Sequence, residues 1–221
     1  MGDHVAFDIG NVLCHFDIVK FTDTLQRYVG GTERNAWGFL DYLQRMQDIG
    51  VTTVAQSLEH SYPFLSESDR AELVDVWNKT VTPNEMMLSF LEKLRGDGVK
   101  VAFLSNMGQE HLAYLRSTCP QMFEGVVQHI SCEVGARKPT KMFFQSFCLD
   151  NDEFCVFKDE DGNRIDYSGC VYVDDLEENL RVGKRYGFKV YNLNLEELVK
   201  LPQSRQKTEL DKLKLMIFNK V

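Results

Sequence analysis

Val5-Ala6-Phe7-Asp8-Ile9-Gly10-Asn11-Val12-Leu13, near the start of the chain, runs from three apolar residues straight into an acid, a glycine and an asparagine. A run apolar at consecutive positions reads as a strand buried on both faces, as in the centre of a parallel sheet. Two more runs repeat the pattern. Residues 99–104 (VKVAFL) lead into Ser105-Asn106-Met107-Gly108, and residues 170–173 (CVYV) lead into Asp174-Asp175, with Asn179 close behind. Residues 125–130 and 188–191 are a fourth and a fifth strand candidate. Helical patterns lie between them at 86–94, 108–115, 141–147 and 176–186, the last stopped by Gly187. This alternation predicts an α/β fold: a Rossmann-like three-layer core with a parallel sheet and right-handed crossovers, with ligands gathering at the carboxyl ends of the strands.

Residues 18–82 break the rhythm. They carry helical periodicities at 18–28, 36–46, 54–60 and 69–77 and no convincing strand. An inserted all-helical cap domain is the simplest account, which assigns 18–82 to the cap and 1–17 with 83–221 to the core. Within the core, residues 154–167 place two β-prone runs around Asp161-Gly162-Asn163, the chemistry of a tight hairpin turn. Residues from about 205 to 220 read as an amphipathic helix with Leu210, Leu213 and Ile217 on one face. That face packs either on the core or on a second subunit, which leaves a homodimer open.

The chain has 221 residues, 43% hydrophobic and 26% charged, enough for one full domain and a smaller accessory one. Its net charge of -8 repels nucleic acid and anionic membrane surfaces, so neither is expected as a partner. A phosphate-bearing ligand would have to be held by local cations. The six cysteines include no CxxC pair, which argues against a zinc site or redox dithiol and for a reducing compartment. No signal-peptide pattern opens the sequence, no apolar window reaches membrane-spanning length, and Ala6 breaks a myristoylation motif. A cytoplasmic location is the resulting expectation.

The chemistry concentrates where the three strongest strands end. Adjacent carboxylates at Asp174 and Asp175 repel one another, and a hard divalent cation relieves that repulsion. Magnesium suits an all-oxygen site with positions left for water and a phosphoryl oxygen. Lys138, in Arg137-Lys138-Pro139, would enter the same crevice and hold a phosphate oxygen as a point charge.

In that order the motifs resemble those of the haloacid dehalogenase (HAD) superfamily, in its C1, subfamily IA-like branch with a helical cap inserted after the first motif. Residues 5–13 look like motif I, 101–106 like motif II, 135–139 with Lys138 like motif III, and 171–175 plus Asn179 like motif IV. The resemblance covers residues 5 to about 195. It implies a magnesium-dependent phosphatase acting on a small phosphorylated metabolite. Asp8 would be the nucleophile that becomes an aspartyl-phosphate, ionised at an ordinary pKa of ~3.9. Magnesium would be held by Asp8, the Gly10 carbonyl, Asp174 and Asp175. Gly10, Asn11, Ser105, Asn106 and Lys138 would hold the phosphoryl group.

One position departs from the family pattern. Two residues after the nucleophile the family usually carries a second aspartate, its general acid and base, and here that position is Gly10. The loss of such a group costs ~10² to 10⁴ in rate. The DxGN form of the motif is similar to the branch containing bacterial glucose-1-phosphate phosphatases, which points to a sugar phosphate, whose leaving group needs little protonation. Otherwise His15, Asp17, His60 or Tyr62 would have to substitute. Trp37, Arg45, His60 and Trp77 are the candidates for substrate selection in the cap. Two alternatives stand beside this reading: a catalytically impaired binding or regulatory protein that keeps the phosphate pocket, and a metal-free 2-haloacid dehalogenase.

Overall fold

The computed structural model of the chain describes residues 3–30, 33–154, 156–157, 165–166 and 169–218. The chain enters through β1 (His4–Phe7) and β2 (Cys14–Phe16), then makes four consecutive helices, α1 (Val19–Val29), α2 (Glu33–Gln47), α3 (Val54–Ser61) and α4 (Glu67–Asn78). It returns through β3 (Val81–Pro83) and continues with α5 (Glu85–Gly96), β4 (Lys100–Ser105), α6 (Gln109–Thr118), β5 (Val127–Ile130), α7 (Ser131–Val134) and α8 (Lys141–Asp150). The remainder is β6 (Val156–Phe157), β7 (Ile165–Asp166), β8 (Cys170–Asp174), α9 (Glu177–Arg185), β9 (Lys189–Asn192), α10 (Leu195–Lys200) and α11 (Gln203–Ile217).

Five strands form one parallel sheet in the order β5-β4-β1-β8-β9. The fold class is the expected one. Phe7 stands opposite Phe103 on one side and Val173 on the other. One residue further along their strands, Asp8 and Asp174 therefore leave the sheet at the same edge, and the Asp8 amide donates to the Val173 carbonyl at 2.9 Å. Alternation along the strands sends side chains to both faces. Val5, Phe7, Val101, Phe103, Val171 and Val173 pack with residues of α5, α6 and α11. Ala6, Ala102, Leu104 and Tyr172 pack on the other face with Phe143, Phe144 and Phe147 of α8 and Leu180 of α9. Both faces are covered by helices, which accounts for the unbroken apolar runs in the sequence.

The helices α1–α4 have a buried cluster of their own, built from residues such as Phe21, Leu25, Leu40, Leu43, Leu58, Leu73 and Trp77. The expectation that 18–82 holds no strand fails at its end: β3 pairs antiparallel with β2, Cys14 opposite Pro83 and Phe16 opposite Val81. These strands are three residues long and find each other across the whole helical insertion, so no local turn advertises them. The amphipathic C-terminal helix begins at Gln203, and its Leu210, Leu213 and Ile217 are buried in the chain's own core. The arms of the expected hairpin pair as β6 and β7, while its turn, Asp161-Gly162-Asn163, lies outside the described residues. Among the described residues no helix is long and apolar enough to cross a membrane.

Packing between α9 and β8 is close enough to test. A methyl group on Gly183 would stand 2.7 Å from Cδ1 of the fully buried Tyr172 ring. Gly183→Ala should therefore destabilise the protein by about 1–3 kcal/mol through overpacking. Gly96→Ala, at a helical glycine where the added carbon meets nothing within 4 Å, should be neutral or stabilising by up to ~1 kcal/mol. Urea denaturation of the two variants reads both signs.

Candidate active site

The turn after β1 is tied to a single carbonyl. The amides of Leu13 and Cys14 both donate to the Ile9 carbonyl at 2.9 Å, and the Asn11 amide donates to the Cys14 carbonyl at 2.8 Å. This forces Asn11 to a φ of 52°, a left-handed conformation that asparagine tolerates better than most residues. The Asn11 carbonyl accepts from the Leu195 amide at 2.7 Å, which anchors the turn to the start of α10. Asp8, Gly10 and Asn11 are thereby presented at the edge of the sheet.

Lys138 is inserted into that edge. It is 1% exposed, with Nζ 3.1 Å from Asp8 Oδ1 and 2.6 Å from Asp174 Oδ2. Burial opposes its charge, but Asp174 and Asp8 outweigh burial and raise its pKa. Asn106 grips the Lys138 backbone at both ends: Oδ1 accepts from the lysine amide at 2.7 Å and Nδ2 donates to its carbonyl at 3.0 Å. Asn106, which also lines the cavity, thus positions the lysine. The Ser105 hydroxyl, at the end of β4, is fully buried beside Asp8, with no hydrogen-bond partner assigned among the described residues.

Asp174 and Asp175 play different parts. Asp174 is fully buried; Oδ1 accepts from the Leu176 amide at 2.9 Å and from Asn179 Nδ2 at 3.0 Å, and Oδ2 accepts from Lys138 and from the Tyr172 hydroxyl. Asp175 is half-buried and lines the cavity. Burial, reinforced by Asp174 and opposed by Lys138, pushes its pKa up to about 6. Asp8 is not the ordinary acid the sequence suggested. Burial is the largest influence on it, Lys138 opposes and Asp174 adds, and the net result is a pKa of about 7. Two or more carboxylates crowded into a dry pocket resist ionising together.

These groups open into a cavity of about 240 Å³ lined by, among others, Asp8, Gly10, Asn11, Asn106, Lys138 and Asp175. The side of the cavity away from the sheet is built by Gln44, Gln47 and Asp48, which at i, i+3 and i+4 share one side of α2 and its continuation. Sequence reasoning missed all three. Polar residues at helical spacing were the available signal, masked by the apolar face that buries the same helix. Tyr172 was missed too, although its place two residues before Asp174 on one strand puts both on the same face. His15, Asp17, His60, Tyr62, Trp37, Arg45 and Trp77 do not line the cavity. His15 meets the side chain of Asn84, the N-cap of α5, at 3.0 Å.

The residues present fit a divalent cation. A carboxylate oxygen from each of Asp8, Asp174 and Asp175 lies within 4.8 Å of the others, and the buried Lys138 ammonium pairs with the first two. Both oxygens of Asp174 already have protein partners, so Asp8, Asp175 and the Gly10 carbonyl are the groups with capacity left. The Asn11 Oδ1, buried and without a hydrogen-bond partner among the described residues, adds an oxygen donor on the same cavity wall.

No protein-family model matches the sequence. Solved structures share its fold. A HAD-family enzyme from Bacteroides thetaiotaomicron, determined with magnesium and inorganic phosphate, aligns with a TM-score of 0.70 at 19% identity, over 87% of this chain and 94% of its own. A predicted HAD-like hydrolase from Porphyromonas gingivalis aligns at 0.64 and 19% identity, over 88% and 92%. L-2-haloacid dehalogenase from Xanthobacter autotrophicus, with chloropropionic acid covalently bound, aligns at 0.55 and 18% identity, over 94% and 88%. The fold is that of HAD-family enzymes.

Lys138→Met keeps the stem and removes the charge, leaving Asp8 and Asp174 uncompensated in a buried site. The expected loss is about 3–5 kcal/mol at pH 8. Asp8 already has a folded-state pKa of about 7 against an ordinary 3.8, so its ionisation costs stability as pH rises through that interval. Removing Lys138 widens the interval, and the deficit should shrink towards pH 5 as the folded site takes up protons. Urea midpoints at the two pH values measure it; equal deficits would mean that Lys138 contributes packing alone.

Proposed function

We propose that the chain is a HAD-superfamily hydrolase, a magnesium-dependent phosphatase acting on a small phosphorylated compound through an aspartyl-phosphate on Asp8. The observation that carries this reading is the convergence of Asp8, Asp175 and the buried Lys138 on one cavity, with Asp174 holding the lysine from behind. Magnesium, held by Asp8, Asp175 and the Gly10 carbonyl, would neutralise the carboxylates and polarise a phosphoryl oxygen. The likeness to an enzyme determined with magnesium and phosphate supports the choice of metal and substrate class.

The chain's own groups divide the remaining work. Lys138 faces the Asp8 carboxylate and balances the charge of an incoming phosphate. An Asp8 oxygen attacks phosphorus as the bond to the leaving oxygen breaks, and the leaving oxygen takes a proton. Water then attacks the same phosphorus, releasing inorganic phosphate and restoring Asp8. Helices α1–α4 act as the cap, with Gln44 and Gln47 facing the substrate and shielding the intermediate from bulk water. A cavity of about 240 Å³ suits a small metabolite, a sugar phosphate among them.

The test is hydrolysis of p-nitrophenyl phosphate. Wild-type protein should release p-nitrophenolate with Mg²⁺ and lose that activity in EDTA. Asp8→Asn should lower the rate by at least about 10³-fold. Chloride release from 2-chloropropionate without metal, or phosphatase activity untouched by Asp8→Asn, would overturn the proposal.

A further inference from the structure

The first half of such a reaction expels an oxyanion, and for any leaving group less stable than nitrophenolate that oxygen needs a proton as the bond breaks. Gly10 offers no side chain. Among the described residues the titratable groups lining the cavity are Asp8, Asp48, His111, Arg137, Lys138 and Asp175. Asp8 is the nucleophile and Asp175 a metal ligand in the reading above. Lys138 is held between two carboxylates that stabilise its charge, and Arg137 never gives up its proton. His111 is otherwise engaged: Nε2 sits 2.8 Å from the Trp77 carbonyl and 3.1 Å from Thr80 Oγ1, its ring is stacked on Trp77, and burial drives its pKa down to about 4. Only Asp48 of this set has no other task.

We propose that Asp48 is the catalytic acid and base: it protonates the leaving oxygen and then deprotonates the water that hydrolyses the aspartyl-phosphate. This rests on the phosphatase reading and deepens it. The Asp48 carboxylic acid gives its proton to the departing oxygen as the phosphorus–oxygen bond breaks. The resulting carboxylate takes a proton from the attacking water, and the acid is restored when phosphate leaves.

The structure fixes Asp48 at the seam between the helical insertion and the core. Its neighbour Gln47 lies against Gly108, where an added Cβ would come 2.7 Å from the glutamine side chain. Gly50, at a φ of 73°, lies against the Cys132 carbonyl, which would be 2.5 Å from a Cβ. Two such approaches on either side leave residue 48 little freedom. The Asp48 side chain is 10% exposed, and Oδ2 is 3.4 Å from Arg137 Nη2, close enough to steady the carboxylate formed after proton transfer. Burial raises the carboxyl's pKa to about 6, with Arg137 and Lys138 opposing, so both protonation states are populated near neutrality.

The experiment compares kcat/KM for p-nitrophenyl phosphate and phenyl phosphate, both with Mg²⁺, in wild type and Asp48→Asn. The two substrates differ little in size, but phenolate, with a pKa of about 10 like tyrosine, is the poorer leaving group. The ratio of the two values cancels any loss of folded protein. It should rise at least about tenfold in Asp48→Asn, because only the phenyl ester depends on the donated proton. An unchanged ratio would overturn the role of Asp48 even if both rates fall, since a merely structural residue moves them together. Wild type inactive on both esters would sink the phosphatase reading itself, a separate failure.

Discussion

Asp8 and Asp174 leave neighbouring parallel strands at the same edge of the sheet, and one buried ammonium, that of Lys138, stands between them. Most of the site's architecture follows from keeping that ammonium there. Taking an ammonium out of water costs several kcal/mol, which only well-placed carboxylates recover. Asn106 therefore clamps the lysine backbone, and Tyr172, Asn179 and the Leu176 amide occupy the Asp174 oxygens beside it. Asp8 is left buried with one cation and two carboxylate neighbours, and burial, with Lys138 opposing and the carboxylates adding, raises its pKa. A dication beside it would favour the ionised Asp8 that the proposed attack on phosphorus needs.

The edge of the sheet was legible in the sequence because it is made of local signals. Unbroken apolar runs marked β1, β4 and β8, and their terminal polar residues were found together because parallel register leaves them no other place. Adjacency alone made Asp174 and Asp175 conspicuous. What it could not show was that the two have separate tasks, which depends on a tyrosine hydroxyl and an asparagine approaching from the same strand and the following helix.

The wall contributed by α2 was not legible. Gln44, Gln47 and Asp48 are ordinary residues on an ordinary amphipathic helix until the helix docks, and docking is decided by Gly108 and Gly50, residues whose importance is the absence of a side chain. The aromatic and histidine candidates of the insertion were attractive by chemistry, yet Trp77 belongs to the buried cluster of α1–α4. The hinge strands β2 and β3 escaped for a related reason: their pairing spans the insertion and exists only in the folded molecule.

Catalysis as proposed requires Asp8 to bond to phosphorus while a cation neutralises its surroundings. A crystal structure with Mg²⁺ and beryllofluoride tests this directly. Continuous density from the Asp8 carboxylate to beryllium, with Mg²⁺ touching Asp8, Asp175 and the Gly10 carbonyl and Lys138 against a fluorine, is the result expected. Beryllofluoride absent from Asp8, or Mg²⁺ bound away from these carboxylates under the same soak, would contradict it.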